Sequence, residues 1–415
     1  MYCGIDFGTS NSAIAIANDD GVRLAPVEND EITLPSALFY PLKKPPVYGH
    51  AAMTLFTEGE EGRFMRSLKR LLGTQLMNYG TLVNNTPRKF DDIIGGFISF
   101  MKNKGEALAG QPIEQAVIGR PVHFVDGDPG ADYAAEEQLR RIAEAAGFKH
   151  VAFQFEPIAA AFAHETKLAS EKLTLVVDVG GGTSDFTVIH LDPKTATKRE
   201  RAGDILGNAG TRIGGNDFDK NLSILSVMPH LGYKTGYGAK NLPVPLSWFH
   251  DMSEWSKINF LYTSAMKREV KTVLRESHAP EKLRRYKKVL DGETGHRLLD
   301  ATERAKIALT DADSAAADLG FIEPEFSIDM TRKDFERAIA ADVDKISATM
   351  DECLALSNVQ KDRIELIVLT GGPTETPLLK RLIKEKFPAA ALSEDDKLSS
   401  VALGLGHDSL RAFAA

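Results

Sequence analysis

Apolar and polar positions in this chain alternate with two different periods, and the clearest strand signal lies at residues 173–191, LTLVVDVGGGTSDFTVIHL. A β-branched apolar run ends there in Asp178, three glycines follow at 180–182, and residues 183–191 are strand-like again, which predicts a hairpin. The amino terminus repeats the order: Tyr2 to Asp6, then Gly8, Thr9, Ser10, Asn11 and Ser12, then the apolar residues 13–17. Short strand-like pieces over 22–40 are broken by Asn29, Asp30 and Pro35. Residues 60–72 read as a helix, with Phe64, Leu68, Leu71 and Leu72 on one stripe. A helix at 90–104, a strand at 114–119, a loop at 127–130, an alanine-rich helix at 134–146 and a strand at 150–155 follow. Glu156 and Pro157 then open a helix whose next turn is nearly all alanine, so its backbone can approach another helix closely.

Beyond the central hairpin, residues 203–215 are glycine-rich, a helix begins near Asp217, and 233–251 are less regular. Helical patterns return at 266–275, 281–290 and 302–309. Thr331 and Asp334 fit a capping pattern for a helix running to about residue 356. The buried-looking strand 364–369 runs into Thr370, Gly371, Gly372, Pro373 and Thr374, and a helix is expected over 376–387. The last helix, 399–413, carries Gly404 and Gly406, small enough to face the alanines at 159–161.

A length of 415 residues suggests two to three domains. The net charge of −8 gives no general attraction for nucleic acid or an anionic membrane, so neither is expected as a partner. Cys3 and Cys353 form no metal or redox spacing and suit a reducing cytoplasm as small core residues. No charged segment precedes an apolar one at the start, and no run of 18 apolar residues occurs, so a soluble cytoplasmic protein is expected.

The chemistry concentrates at the hairpin tips. Gly180, Gly181 and Gly182 can reach positive φ and expose successive N–H groups, a nest that suits a phosphate. Asp178 beside that nest makes sense if a divalent cation, usually Mg²⁺ with its own waters, lies between carboxylate and phosphate. A plain flexible turn would carry the same glycines, but the second copy, with Asp6 as counterpart of Asp178, favours two hairpins gripping one polyphosphate. No helix follows either glycine loop and no Walker sequence occurs in them, which excludes a dinucleotide fingerprint. The strand, glycine turn and helix start at 364–377 suit a phosphate or ribose as well as a simple turn.

Six ordered segments together resemble the ATPase domain of the Hsp70 chaperones, within the actin, hexokinase and Hsp70 superfold, over nearly the whole chain. They are GIDFGTSNS at 4–12, SLKRLLG at 67–73, EPIAAAFAH at 156–164, DVGGGTSDF at 178–186, ERAKIALT at 303–310 and LTGGPTETP at 369–377. The resemblance, specifically to short YegD-like members, implies an α/β actin-like ATPase fold with two lobes. Each lobe would be built on a duplicated ribonuclease-H-like mixed sheet with flanking helices, and ATP would lie between them. Lobe I would span 1–170, lobe II 171–396 with an enlarged 220–302 subdomain, and residues 397–415 would return to lobe I. By position, Asp6, Asp178 and Asp185 would hold Mg²⁺ through water, with Glu156 around that shell. Lys69 would position the attacking water, and Thr183 would bond the γ-phosphate. Gly8, Thr9, Ser10, Asn11 and the amides of Gly180, Gly181, Gly182 and Thr183 would cradle the phosphates. Glu303, Lys306 and Thr310 would lie on the adenine side, and Gly371, Gly372, Pro373, Thr374 and Glu375 would form the adenosine loop. Pro121 and Arg140 match residues that relay nucleotide state, with 126–132 inserted between them.

Departures from the family pattern are equally specific. Glu375 stands where an adenine-stacking arginine is usual, Leu398, Ser399 and Ser400 replace an acidic stretch, and Trp248 and Trp255 lie in the enlarged segment. The family's peptide-binding domain is expected to be lacking after Ala415. The leading expectation is an ATP-hydrolysing, nucleotide-driven switch working through a protein partner on lobe II, near Trp248 and Trp255 if these are surface and not core. A small-molecule kinase of the same superfold and an actin-like filament are the alternatives.

Overall fold

Both hairpins form, and each is the centre of a mixed sheet. The computed structural model describes residues 1–165, 167–196, 198, 201–393 and 399–414; Leu398, the expected boundary at 396–397 and Ala415 lie outside them. The chain divides into two compact units, one of Met1–Gly214, Lys345–Glu375 and Leu379–Ala415, the other of Gly215–Asp344 and Thr376–Leu378.

In the first unit, Tyr2–Phe7 pairs antiparallel with Asn11–Asn18 and parallel with Gln115–Arg120, which pairs parallel with His150–Phe155. Gly21–Leu24 and Thr33–Pro35 both join Asn11–Asn18. The second sheet repeats this plan: Lys172–Val179 is antiparallel to Ser184–Leu191 and parallel to Leu366–Thr370, with Ile205–Thr211 and Ala391–Ser393 at the edges. Continuous apolar runs suit strands buried on both faces, and residues 173–179 and 184–189 are buried without a break.

Small residues set the distance between the helices and the first sheet. Ala159, Ala160 and Ala161 of the Glu156–Glu165 helix are fully buried, and a Cβ on Gly404 of the Ser400–Phe413 helix would lie 1.7 Å from the Ala159 carbonyl oxygen. Gly404 therefore faces the alanine turn as the sequence suggests. Gly406 does not: its open side meets Val22 and Ala15 of the sheet, while Gly4 would clash with Gly406 and Leu405.

Three expectations change. Residues 60–72 are not a helix: Gly62–Arg66 is a strand paired with Ala37–Pro41, with Phe64 opposite Phe39 and Met65 opposite Leu38. Ser67 then turns with left-handed backbone, φ 62°, into the short 3-10 helix Leu68–Leu71. The stripe of Phe64, Leu68, Leu71 and Leu72 is real burial, but a cross-strand partner outcompetes a helical ladder over its first half. The 127–130 loop is shorter than expected, because the Asp128 side chain accepts from the Ala131 amide and Pro129 occupies the first turn of the helix Pro129–Ala145. Within the glycine-rich 203–215 stretch, Ile205–Thr211 is an edge strand. Its Gly207 leaves room for the Ser357 backbone and its Gly210 for the Asp185 carboxylate.

The second unit contains the helices Gly215–Leu222, Leu246–Met252, Ser264–Arg275, Pro280–Asp291 and Gly295–Asp311, and the hairpin Ser314–Asp318 with Ser327–Thr331. Thr331 caps the helix Arg332–Ser357 as expected, its hydroxyl accepting from the Asp334 amide at 3.1 Å. Trp248 and Trp255 are only 5% and 4% exposed, and the Tyr286 hydroxyl donates to the Trp248 carbonyl at 3.0 Å. Both tryptophans are core, so neither forms a partner surface.

Gly404→Ala is expected to lower stability by about 1–3 kcal/mol, the usual cost of overpacking. Gly203→Ala, with nothing within 4 Å of the new methyl, should be near neutral. Urea unfolding of the two variants tests the contrast, and equal midpoints would remove the helix crossing as a constraint.

Candidate functional site

At the ends of the central strands of the first unit, four carboxylates and one ammonium share a buried space. Asp6 is the last residue but one of Tyr2–Phe7, Asp178 of Lys172–Val179, and Asp185 is the cross-strand partner of Asp178. Glu156 is the first residue of the helix that follows His150–Phe155 directly. Lys69, from the turn after Ser67, donates to Glu156; their side chains are 7% and 10% exposed.

Burial raises the Asp6 carboxyl to about 7, with the Glu156 charge adding and Lys69 opposing. Asp178 is pushed well above the carboxylate range by burial, then by Glu156, Asp185 and Asp6. Asp185 rises to about 7 through burial and Glu156, against the pull of the Thr183 hydroxyl, the Val122 amide and Lys69. For Lys69, burial works against the charge, but Glu156 and Asp6 together outweigh it and the ammonium is held above its ordinary value. Asp185 Oδ1 accepts from the Val122 amide at 2.7 Å, whereas its buried Oδ2 has no protein partner. Carboxylates that raise one another, one with an orphaned oxygen, fit a hard divalent cation such as Mg²⁺. Among the described residues no three His, Cys, Asp or Glu side chains converge as direct metal ligands.

The glycine loops converge beside this cluster. A Cβ on Gly181 would lie 2.1 Å from Ser10 Oγ, and one on Gly182 would lie 2.8 Å from Thr9 Oγ1, so the two hairpin tips touch. Gly371, at φ +83°, leaves room for the Val179 carbonyl, and Gly214 packs on the backbone of 180–182. The first tip is braced from below, since Ser36 donates its hydroxyl to the Gly8 carbonyl at 2.7 Å and its amide to the Ser10 carbonyl at 2.8 Å. The second is braced by the Gly180 amide to the Thr183 carbonyl at 2.9 Å and by Ser184 Oγ to the Ile213 carbonyl at 2.7 Å. Asn11 turns its carbonyl toward Gly8, where a side chain would clash.

Residues 371–374 close on themselves, with Thr374 Oγ1 donating to the Gly371 carbonyl at 2.7 Å, and Glu375 accepts from Lys380 at 2.7 Å. Pro373 lies in the same short helix, Gly372–Glu375. Glu303, Lys306 and Thr310 belong to one helix of the second unit, where Lys306 pairs with Asp219 at 2.7 Å. The expected first-unit residues lie together, and three residues without a sequence signal of their own join them: Ser36, Val122, and Arg212, whose Nη2 donates to the Arg70 carbonyl at 3.0 Å. The last lies in the glycine-rich stretch noted beforehand; the other two carry no local signal.

A family profile described as Hsp70 protein matches residues 2–289 and 278–406. The chain belongs to the Hsp70 family. Its mixed α/β architecture is that of the family's actin-like ATPase fold. It is 24% identical over 407 residues to Chaperone protein HscA of Buchnera aphidicola subsp. Baizongia pistaciae, covering 93% of this chain and 66% of that one. It is 25% identical over 413 residues to Chaperone protein DnaK of Elusimicrobium minutum (97% and 56%) and 26% over 414 residues to Chaperone protein DnaK of Thermotoga petrophila (97% and 58%). This Hsp70-family chain thus spans between 56% and 66% of the length of these curated relatives. Among the described residues no helix is long and apolar enough to cross a membrane.

The raised carboxyls make stability pH-dependent. Because the folded Asp185 holds its proton up to about 7 and an unfolded aspartate releases it near 3.8, the folded state binds more protons between those values. Stability therefore falls as pH rises through that window. In chelator-treated buffer, the melting temperature is expected to drop between about pH 5 and pH 8, and Asp185→Asn should flatten part of that slope. An unchanged slope would assign the pH dependence elsewhere.

Proposed function

We propose that this Hsp70-family chain binds Mg²⁺·ATP at the hairpin tips and hydrolyses it slowly to ADP and phosphate, as a nucleotide-driven switch acting through a protein partner. The observation that carries the reading is the buried Lys69–Glu156 pair set among Asp6, Asp178 and Asp185 beside two touching glycine loops. Bound Mg²⁺ would supply charge neutralisation for the transferring phosphoryl group. Asp6, Asp178 and Asp185 would hold it through its waters, and Glu156 would keep Lys69 charged and oriented. Lys69 would fix the attacking water and counter the negative charge that develops, Thr183 would bond the terminal phosphate, and the amides of Gly180, Gly181 and Gly182 with Thr9 and Ser10 would hold the rest. Such a site works by positioning and electrostatics, which is what phosphoryl transfer demands of a protein.

We also propose lobe boundaries at 170 and 396, a short YegD-like type, an adenine-side role for Glu303, Lys306 and Thr310, and an adenosine-loop role for 371–375. A cytoplasmic location is proposed on the same footing, supported by two buried free thiols. A partner contact on the 233–251 segment would use its exposed Leu242 and Leu246 instead of the buried Trp248. The kinase alternative needs a base for an acceptor hydroxyl or carboxylate, and Glu156, the candidate for that role, is already engaged by Lys69.

Single-turnover hydrolysis of γ-labelled ATP tests the reading. Wild type is expected to release phosphate only with Mg²⁺. Lys69→Ala should cut release by about 10²-fold or more while ATP affinity stays within about threefold, because the ammonium acts mainly in the transition state. Equal loss of binding and turnover would contradict that role, and label on a small molecule from added metabolites would make the protein a kinase.

A further inference from the structure

Lys69 projects from a turn too short to hold it by itself. The Leu68–Leu71 3-10 helix is one turn long, and around it the Arg70 amide donates to the Ser67 carbonyl and the Leu72 amide to the Lys69 carbonyl, each at 3.2 Å. Anything that fixes this turn against the rest of the site must come from elsewhere in the chain.

Leu68, Leu71 and Leu72 anchor the apolar side of the turn in the core, and a polar tie comes from Arg212. Its Nη2 donates to the Arg70 carbonyl at 3.0 Å, and its own amide donates to Asp126 Oδ2 at 2.9 Å. Thr211 Oγ1 shares that Asp126 oxygen at 3.4 Å. The next residue, Ile213, takes the Ser184 hydroxyl on its carbonyl, and Gly214 packs on the backbone of 180–182. The stem of Arg70 lies against the same loop, with its Cγ 3.1 Å from where a Cβ on Gly182 would be. One residue therefore joins the lysine turn, the second glycine loop and the short loop before the helix Pro129–Ala145.

The geometry points to Arg212 as a positioning residue for Lys69, with Asp126 anchoring the Arg212 backbone from just before the helix Pro129–Ala145. This rests on the ATPase reading above. Arg212 acts through the Arg70 carbonyl, not on the nucleotide. Without that bond Lys69 keeps its pair with Glu156, but the turn loses a direct tie to the strand end that leads into the second glycine loop's packing partners. Binding is then preserved and the chemical step suffers.

The test compares wild type, Arg212→Ala, Arg212→Lys, Asp126→Ala, Lys69→Ala and the double variant Lys69→Ala/Arg212→Ala in Mg²⁺·ATP hydrolysis, with melting curves for each. Arg212→Ala is expected to lower kcat about 10-fold with KM within about twofold, since misplacing a catalytic group by a fraction of an ångström costs rate before affinity. Arg212→Lys, still able to donate to one carbonyl, should recover much of that loss, and Asp126→Ala should lower kcat by about threefold. On the Lys69→Ala background Arg212→Ala should add almost nothing, because both act through one ammonium. A full additional loss in the double variant, a rise in KM with kcat unchanged, or no rescue by lysine would overturn the inference while leaving the ATPase reading intact. A wild type that releases no phosphate would overturn the ATPase reading and this inference with it. Should Arg212→Ala melt early, Asp126→Ala decides the matter, and a wild-type kcat in that variant would overturn the inference.

Discussion

A surplus of buried negative charge is the constraint around which the first unit is arranged. Lys69 and Glu156 cancel each other, which leaves Asp6, half-buried, against the buried Asp178 and Asp185. Removing carboxylates from water is costly unless a counter-charge or hydrogen-bond donors replace the lost hydration. The protein supplies some of these donors, such as the Val122 amide and the Thr183 hydroxyl to Asp185, and otherwise holds protons at unusually high pH. A site left electrostatically incomplete in this way gains stability from a cation that binds only the folded state.

Such a cluster persists only if the backbone cannot relax away from it, and the small-residue packing accounts for that rigidity. Gly404 lets the carboxyl-terminal helix settle on the Ala159 carbonyl, and Gly4 lets the same helix press on the first strand. This fixes the Glu156–Glu165 helix by its alanine turn, one turn from Glu156. Gly119 completes the seat, since a Cβ there would come within 3.0 Å of Glu156 Cγ. The position of Lys69 thus depends on a glycine 335 residues away in sequence, through a helix crossing, a helix start and one ion pair.

What was legible in the sequence follows from the range of the forces involved. The hairpins could be read because β-branched runs, terminal aspartates and glycine tips are local, and the Thr331 cap because its hydrogen bond spans three residues. The Ala159 and Gly404 contact could be guessed because each half is an unusual run of small residues. The 62–66 strand could not, since Phe64, Leu68 and Leu71 satisfy a helical stripe as well as a buried strand and turn, and only the distant partner Phe39 decides between them. Trp248 and Trp255 were ambiguous for the same reason: burial is decided by neighbours such as Tyr286, not by composition. Ser36, Val122 and Arg212 act through hydrogen bonds to residues far away in sequence, and no local pattern announces such bonds.

Asp185 shows why the arrangement is preorganised and not merely crowded. Its Oδ1 is held by the amide of Val122, and a side chain at 210 would collide with that oxygen, so glycine is required there. Rotating the carboxylate to satisfy Oδ2 would cost Oδ1 its bond from the Val122 amide. The orphaned oxygen is therefore fixed in direction before anything reaches it, and a proton or a cation's water must come to it. Groups held this way need no reorganisation when charge develops beside them, which is the condition under which buried dipoles and charges contribute most to phosphoryl transfer. The missing partner follows from that fixed orientation, whereas the raised carboxyl follows from burial and the Glu156 charge beside it.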